Sequence, residues 1–110
     1  MNLAEELSSK FDIDEMFEKG RGAANFLKAM AHEGRLMILC HLVMGEKSVT
    51  ELENLLSSRQ AAVSQQLARL RIEGIVSFRR DGKAIYYSIK DEKVLKLVSL
   101  LYEEFCVKLY

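Results

Sequence analysis

The chain contains no proline, and no Gly/Ser-rich stretch stands in for a linker, so nothing along its 110 residues marks a domain boundary. A chain of this length builds one core without staples. Residues 1–110 therefore read as a single domain, in which the acidic segment 1–18 is partly helical or disordered. The longest apolar run, Leu36 to Cys40, is far too short to span a bilayer. The N-terminus, Met1-Asn2-Leu3-Ala4-Glu5-Glu6, is acidic and lacks the apolar core of a signal peptide. A cytoplasmic protein with no membrane partner is expected. Cysteine is scarce, with only Cys40 and Cys106, and both are expected to be thiols at rest in that compartment. Histidine is limited to His32 and His41. No Gly-rich phosphate loop, paired carboxylate or nucleophile–base set stands out, so the chain does not read as an enzyme and calls for no cofactor.

Net charge is also lacking, which on its face argues against nucleic acid. The distribution says otherwise. Residues 1–18 hold one Lys against six acids, whereas residues 58–90 hold seven Lys/Arg against two acids. Counterion release depends on the local footprint and not on the total. A sorted charge is more often merely solvated, so the neighbouring structure has to weigh in.

The stretch Ser58 to Gly74 carries that weight. Val63, Leu67 and Leu70 recur at helical spacing on one stripe, with Ala62 beside them. The opposite side presents Gln60, Ser64, Gln65 and Arg69. An ordinary solvated helix carries Glu and Lys there in i,i+4 pairs, yet this one has no acid before Glu73. Gln, Ser and Arg are the side chains that bond to base edges or neutralise phosphate.

Before it, residues 2–19 have weak amphipathic order (Leu3, Leu7, Phe11, Phe17). From Gly20 to Met30 a compact apolar face follows, of Ala23, Ala24, Phe26, Leu27 and Met30, with small residues suited to close helix contact. Leu36, Leu39, Cys40 and Val43 share a broad face of a largely buried helix that Gly45 closes. Ser48 and Glu51 form a capping-box pattern, opening a short helix with Val49, Leu52, Leu55 and Leu56 inward. Ser57 and Ser58 supply turn and N-cap chemistry, so two helices joined by a short turn match a helix-turn-helix by spacing. After Gly74, Ile75 to Arg80 and Lys83 to Ile89 are β-prone runs around Asp81-Gly82, a strong hairpin signal. Arg79, Arg80 and Lys83 crowd its tip. Such tips are commonly just polar, but behind a helix-turn-helix a basic hairpin reads as a wing on phosphate or in a minor groove. Asp91 then caps a last helix with a wide stripe (Val94, Leu95, Val98, Leu101, Tyr102, Phe105), read as half core and half dimer contact. The fold expected is mostly α with a small β-hairpin, a winged helix-turn-helix in the order α-α-α-α-β-β-α.

This order, with L-K-A-M-A-H-E-G-R-L-M-I-L, V-S-Q-Q-L-A-R-L-R-I-E-G-I-V and I-Y-Y-S-I, resembles the ArsR family of winged-helix repressors over about residues 22–107. The resemblance implies a homodimer built from first and last helices, binding an imperfect inverted repeat in double-stranded DNA. Two recognition helices on a twofold axis would enter adjacent major grooves. By position, the family's DNA-contacting residues correspond to Gln60, Ala61, Ser64, Gln65 and Gln66, with Arg79 and Lys83 on the wing; Arg69 and Arg80 join them on charge and placement. Many members have His where this chain has Gln66 and Ser where it has Ala61; Gln66 still bonds to a base edge, so DNA binding is expected.

The family's metal sensors carry a cysteine pair in the first helix of the helix-turn-helix, and here Val49-Thr50-Glu51-Leu52-Glu53 has none. Others place ligands on the last helix, which here contains no histidine. No metal is expected, with an ArsR-type metal sensor (a site from Cys40, His41, Cys106 and a carboxylate, which no ligand spacing supports) as an alternative reading. One cysteine on the second helix and one near the end of the last resembles the family's persulfide-responsive dithiol branch. There, reactive sulfur bridges the two thiols and the repressor leaves DNA. On that pattern Cys40 and Cys106 are the redox-sensing pair, although two buried cysteines need no function at all. A related branch shares the pair and acts as an activator by anti-silencing. His41 follows Cys40 but diverges from it in direction on a helix, so it gives no reason to expect an activated thiol. The competing class is a protein-interaction module that uses the winged helix without DNA; a salt-dependent DNA affinity would separate the two.

Overall fold

The computed structural model describes residues 2–5, 13–57 and 60–107, with only the backbone at Gln60, Ala61 and Val107. The chain divides into two compact units, Met1–Met30 and Ala31–Tyr110.

The first unit is dominated by one helix, α1 (Ile13–Met30), which carries Asp14 and Glu15 in its first turn and Lys28 in its last, both signs suited to the helix dipole. It is continuous through Gly20 and Gly22, so the apolar segment expected from Gly20 onward has an acidic helical lead-in. Glycine costs a helix about 1 kcal/mol relative to alanine, but it ends one only where the backbone turns left-handed. Neither glycine has a positive φ. Ile13, Met16, Phe17 and Leu27 are exposed on this helix. Leu7 and Phe11 lie outside the described residues.

The second unit runs α2 (Glu33–Val43), β1 (Lys47–Ser48), α3 (Val49–Leu56), α4 (Gln60–Ile72), β2 (Val76–Asp81), β3 (Ala84–Ile89) and α5 (Glu92–Tyr102), which widens into a π-helical turn at Glu103–Val107. The expected mostly-α order with one hairpin is present, and β1 adds a third strand in the order β1-β3-β2. Helix α2 is central, packing against α3, α4, β3 and α5. This explains why its buried residues, Ile38, Leu39 and Leu42, differ from the single face expected: Leu36, Cys40 and Val43 are only half-buried. A helix surrounded by neighbours has no one inward side.

Helix α4 does have one. Val63, Leu67 and Leu70 are buried, as their spacing predicts, and meet a core that includes Leu52, Ile75, Val76, Tyr87, Val94 and Val98. Burying a Leu or Val side chain is worth about 1.5–3 kcal/mol, so this stripe fixes which side of α4 turns outward. Ala62 falls on the exposed side, and Leu55 on α3 is 50% exposed where it was expected inward.

Local chemistry sets the boundaries. The Ser48–Glu51 capping box forms in both directions, with Glu51 N–H donating to Ser48 Oγ at 3.1 Å and Ser48 N–H to Glu51 Oε1 at 3.0 Å. Ser57 ends α3 in the left-handed region at φ 51°, so the turn takes its bend at a non-glycine residue; Ser58 and Arg59 lie outside the described residues. Gly74, at φ +75°, closes α4 by letting Ile75 N–H reach Leu70 C=O at 2.9 Å and Gly74 N–H reach Arg71 C=O at 3.0 Å. In the hairpin Asp81 pairs with Ala84, so the two-residue loop is Gly82-Lys83 and not Asp81-Gly82. Gly82 takes φ +63°, the glycine-first pattern of a II′ turn. Asp91 caps α5, its Oδ1 accepting from Lys93 N–H at 2.8 Å. Among the described residues no helix is long and apolar enough to cross a membrane.

Candidate nucleic-acid interface and cysteine pair

With its apolar stripe buried, α4 exposes Ser64, Gln65 and Arg69 on the far side, and the backbone of Gln60 and Ala61 lies in its first turn. Arg69 lies 3.9 Å from Glu73 and its side chain stays 64% exposed, so its charge remains available. Gln66 differs. It sits at the flank of this face, half-buried, and its carbonyl Oε1 accepts from Arg35 Nε at 2.9 Å. The family resemblance, not helical spacing, grouped it with the DNA-contacting residues; its long-range partner could not be read from spacing.

The wing also separates residues that look alike in sequence. Arg80 and Lys83 are exposed and make no ion pair among the described residues. Arg79 is forked onto Glu46, with Nε to Oε2 at 2.8 Å and Nη2 to Oε1 at 2.7 Å. Its guanidinium also lies 4.6 Å from the centre of the Tyr86 ring. This bidentate pair pulls the Glu46 carboxyl below the usual carboxylate range and pushes Arg79 further up. Arg71, basic but turned elsewhere, stacks over Phe78 at 5.0 Å.

Between α3, α4 and the wing lies a cleft of about 320 Å³ lined by Ser48, Val49, Thr50, Ser64, Lys83, Ala84 and Ile85. Hydroxyls at Thr50 and Ser64 and the ammonium of Lys83 suit an anion there. Thr50 was not anticipated. The capping box located the start of α3, but nothing in the sequence said that this start faces Ser64 and Lys83.

Cys40 is half-buried on α2, and Cys106 is exposed in the π-helical turn that continues α5; both are free thiols. Helices α2 and α5 pack on each other. Burial raises the Cys40 thiol above its ordinary pKa, and a Cys106 thiolate raises it further, which is the effect of a like charge close by. The π-helical turn was not legible in the sequence. It widens the helix and shifts Cys106 from where α-helical spacing would put it. Among the described residues no three His, Cys, Asp or Glu side chains converge as a metal site would require.

A helix-turn-helix with an outward, acid-poor second helix and a basic hairpin beside it defines a winged-helix DNA-binding protein. The family profile described as bacterial regulatory protein, arsR family, matches residues 32–77. The Biofilm growth-associated repressor of Agrobacterium fabrum is 43% identical over 105 residues, covering 91% of this chain and 90% of that one. The Transcriptional activator HlyU of Vibrio cholerae is 39% identical, covering 86% of this chain and 88% of its own length. A structure of reduced HlyU from Vibrio cholerae superposes with a TM-score of 0.82 at 39% identity, covering 86% of this chain and 99% of that one. The chain belongs to the ArsR family of DNA-binding transcriptional regulators, a class without enzymatic activity.

Proposed function

We propose that this chain is a cytoplasmic, homodimeric repressor whose operator is released when reactive sulfur bridges Cys40 and Cys106. The observation that carries the reading is the placement of two free thiols, one on the central helix α2 and one in the irregular turn that continues α5, the helix packed on α2. In the DNA-bound form Gln60, Ala61, Ser64, Gln65 and Gln66 face a major groove with Arg69, while Arg80 and Lys83 follow the backbone and Arg79, held by Glu46, shapes the wing beside it. A phosphate sits in the cleft of Thr50, Ser64 and Lys83. The family habit of pairing fits two apolar surfaces, one on α1 (Ile13, Met16, Phe17) and one on the last helix (Leu95, Leu100, Phe105), all of them exposed in the single chain. A second copy would cover each, and its twofold axis would supply the second half of an inverted repeat.

The chemistry balances with an organic trisulfide as donor. The Cys106 thiolate, the more accessible of the two, attacks the central sulfur; one S–S bond forms and one breaks, and an alkylthiolate leaves. The Cys40 thiolate then attacks the same sulfur and expels the second alkylthiolate, leaving a trisulfide across the pair. Each departing thiolate takes up the proton that the attacking thiol lost. A sulfur inserted between the cysteines relaxes the distance that a direct disulfide demands, about 7 Å between Cα atoms. Because α2 also packs against α4, a bridge on it needs only about 1–3 kcal/mol of coupling to change operator occupancy.

The test is intact mass of the reduced protein after treatment with an organic trisulfide, with diamide and peroxide in parallel, and operator binding measured on each sample. Gain of one bridging sulfur together with lost affinity is the expected result. A bridge that leaves affinity unchanged, or no mass change, removes the sensing role. Alkylation should label Cys106 before Cys40 at neutral pH, since the raised Cys40 pKa keeps that thiol protonated. The likeness to an activator supports a second reading, activation by displacing a silencer, which differs only in where the operator lies. Deleting the gene and following transcription of the adjoining genes separates the two by sign.

A further inference from the structure

Gln66, on the recognition helix, hydrogen-bonds a residue far from it in sequence, and the atoms involved limit what it can say to DNA. Glutamine reads adenine by a two-point contact: its carbonyl accepts from N6 while its NH2 donates to N7. Here the carbonyl already accepts from Arg35 Nε at 2.9 Å, reached from α2. The amide NH2 has no partner among the described residues, and no buried side-chain nitrogen or oxygen lacks one. The NH2 is therefore not fully buried. Beside it the cleft of about 170 Å³ is lined mainly by apolar side chains, Ile38, Leu56, Ala62 and Val63, with His32 at its edge, so the amide gains little by turning its carbonyl away from the guanidinium.

We propose that Arg35 is a positioning residue for sequence reading: by holding the Gln66 carbonyl it presents the NH2 to the major groove, so that this position selects bases offering acceptors. Guanine, with N7 and O6 side by side, and thymine, with O4, satisfy a donor-only amide, whereas adenine offers it N7 alone, beside an N6 amino group that the occupied carbonyl is not free to accept. The proposal rests on the reading of α4 as the recognition helix. It goes beyond that reading by assigning a base preference to a residue of α2, outside the recognition helix.

The test selects bound duplexes from a randomised library with the wild-type protein, Gln66→Met and Arg35→Met, with thermal melting on each. The wild type is expected to enrich an inverted repeat with guanine or thymine, and little adenine, at one symmetric pair of positions. Gln66→Met should lose the preference at that pair. Arg35→Met should gain adenine there, by roughly threefold to tenfold relative to wild type, the span of one hydrogen bond, while preferences elsewhere hold. Arg35→Lys, which keeps the charge but not the directed Nε–H, should show the same shift and replaces Arg35→Met if that variant melts early. The proposal is overturned if the wild type prefers adenine at the Gln66 pair, if Gln66→Met changes no position, or if both Arg35 variants leave the preference intact. A wild type that enriches no sequence overturns the recognition-helix reading itself, and is told apart because the Arg35 variants then have nothing to alter.

Discussion

The recognition helix and the wing present similar polar side chains to the same side of the molecule's chemistry, yet they hold them differently. Helix α4 is anchored from beneath by Val63, Leu67 and Leu70, and its outward residues Ser64, Gln65 and Arg69 stay exposed. The wing is anchored through its own tip-side cation: Arg79 is committed to Glu46 and Tyr86, while Arg80 and Lys83 remain free of ion pairs among the described residues. A basic residue near DNA is thus not automatically a phosphate contact. Some cations build the surface that others use.

The contrast is open to experiment. Its largest expected effect is on the anchor of α4. Leu67 is 0% exposed, so Leu67→Ala should cost about 2–5 kcal/mol by removing contacts and leaving a cavity, read as a lowered midpoint in chemical denaturation. A loss under 1 kcal/mol would mean that α4 is not held by its stripe.

Next comes the division of labour on the wing. Lys83→Ala should reduce the slope of log affinity against log salt by about 0.9, the release of one counterion. Arg79→Ala should change that slope less, because Glu46 already neutralises the guanidinium, and should instead lower wing stability. Equal slope changes for the two variants would show that Arg79 meets phosphate as Lys83 does.

The smallest effect is on acid stability. The Glu46 carboxyl is held below its ordinary pKa by Arg79, so its contribution is present above the ordinary glutamate value and is lost as pH falls through the lowered one. Glu46→Gln should lower stability slightly at neutral pH, as expected of an exposed pair, and converge with wild type at low pH, so that the acid side of its stability curve is flatter. A variant curve parallel to wild type below pH 5 would show that the pair adds nothing.

Much of the second unit was legible because its signals are local. Ser48 and Glu51 are three residues apart and cap each other as their spacing predicts. Asp91, Gly74 and the hairpin lie where their chemistry demands, although pairing of Asp81 with Ala84 moved the turn by one residue, from Asp81-Gly82 to Gly82-Lys83. The buried side of α2 was misjudged because periodicity assumes one packing partner and α2 has four.

By itself, the sequence determined the order of elements, the outward face of α4 and the family, since these depend on neighbours within a turn or two and on motifs in series. Tertiary structure alone decided which polar side chains are free. Arg35 meets Gln66 across 31 residues and Glu46 meets Arg79 across 33, and Cys106 is near enough to Cys40 to raise its pKa. No periodicity encodes such pairs. They exist because burying α2 among its neighbours brings distant residues together, and the side chains at its edges satisfy one another there.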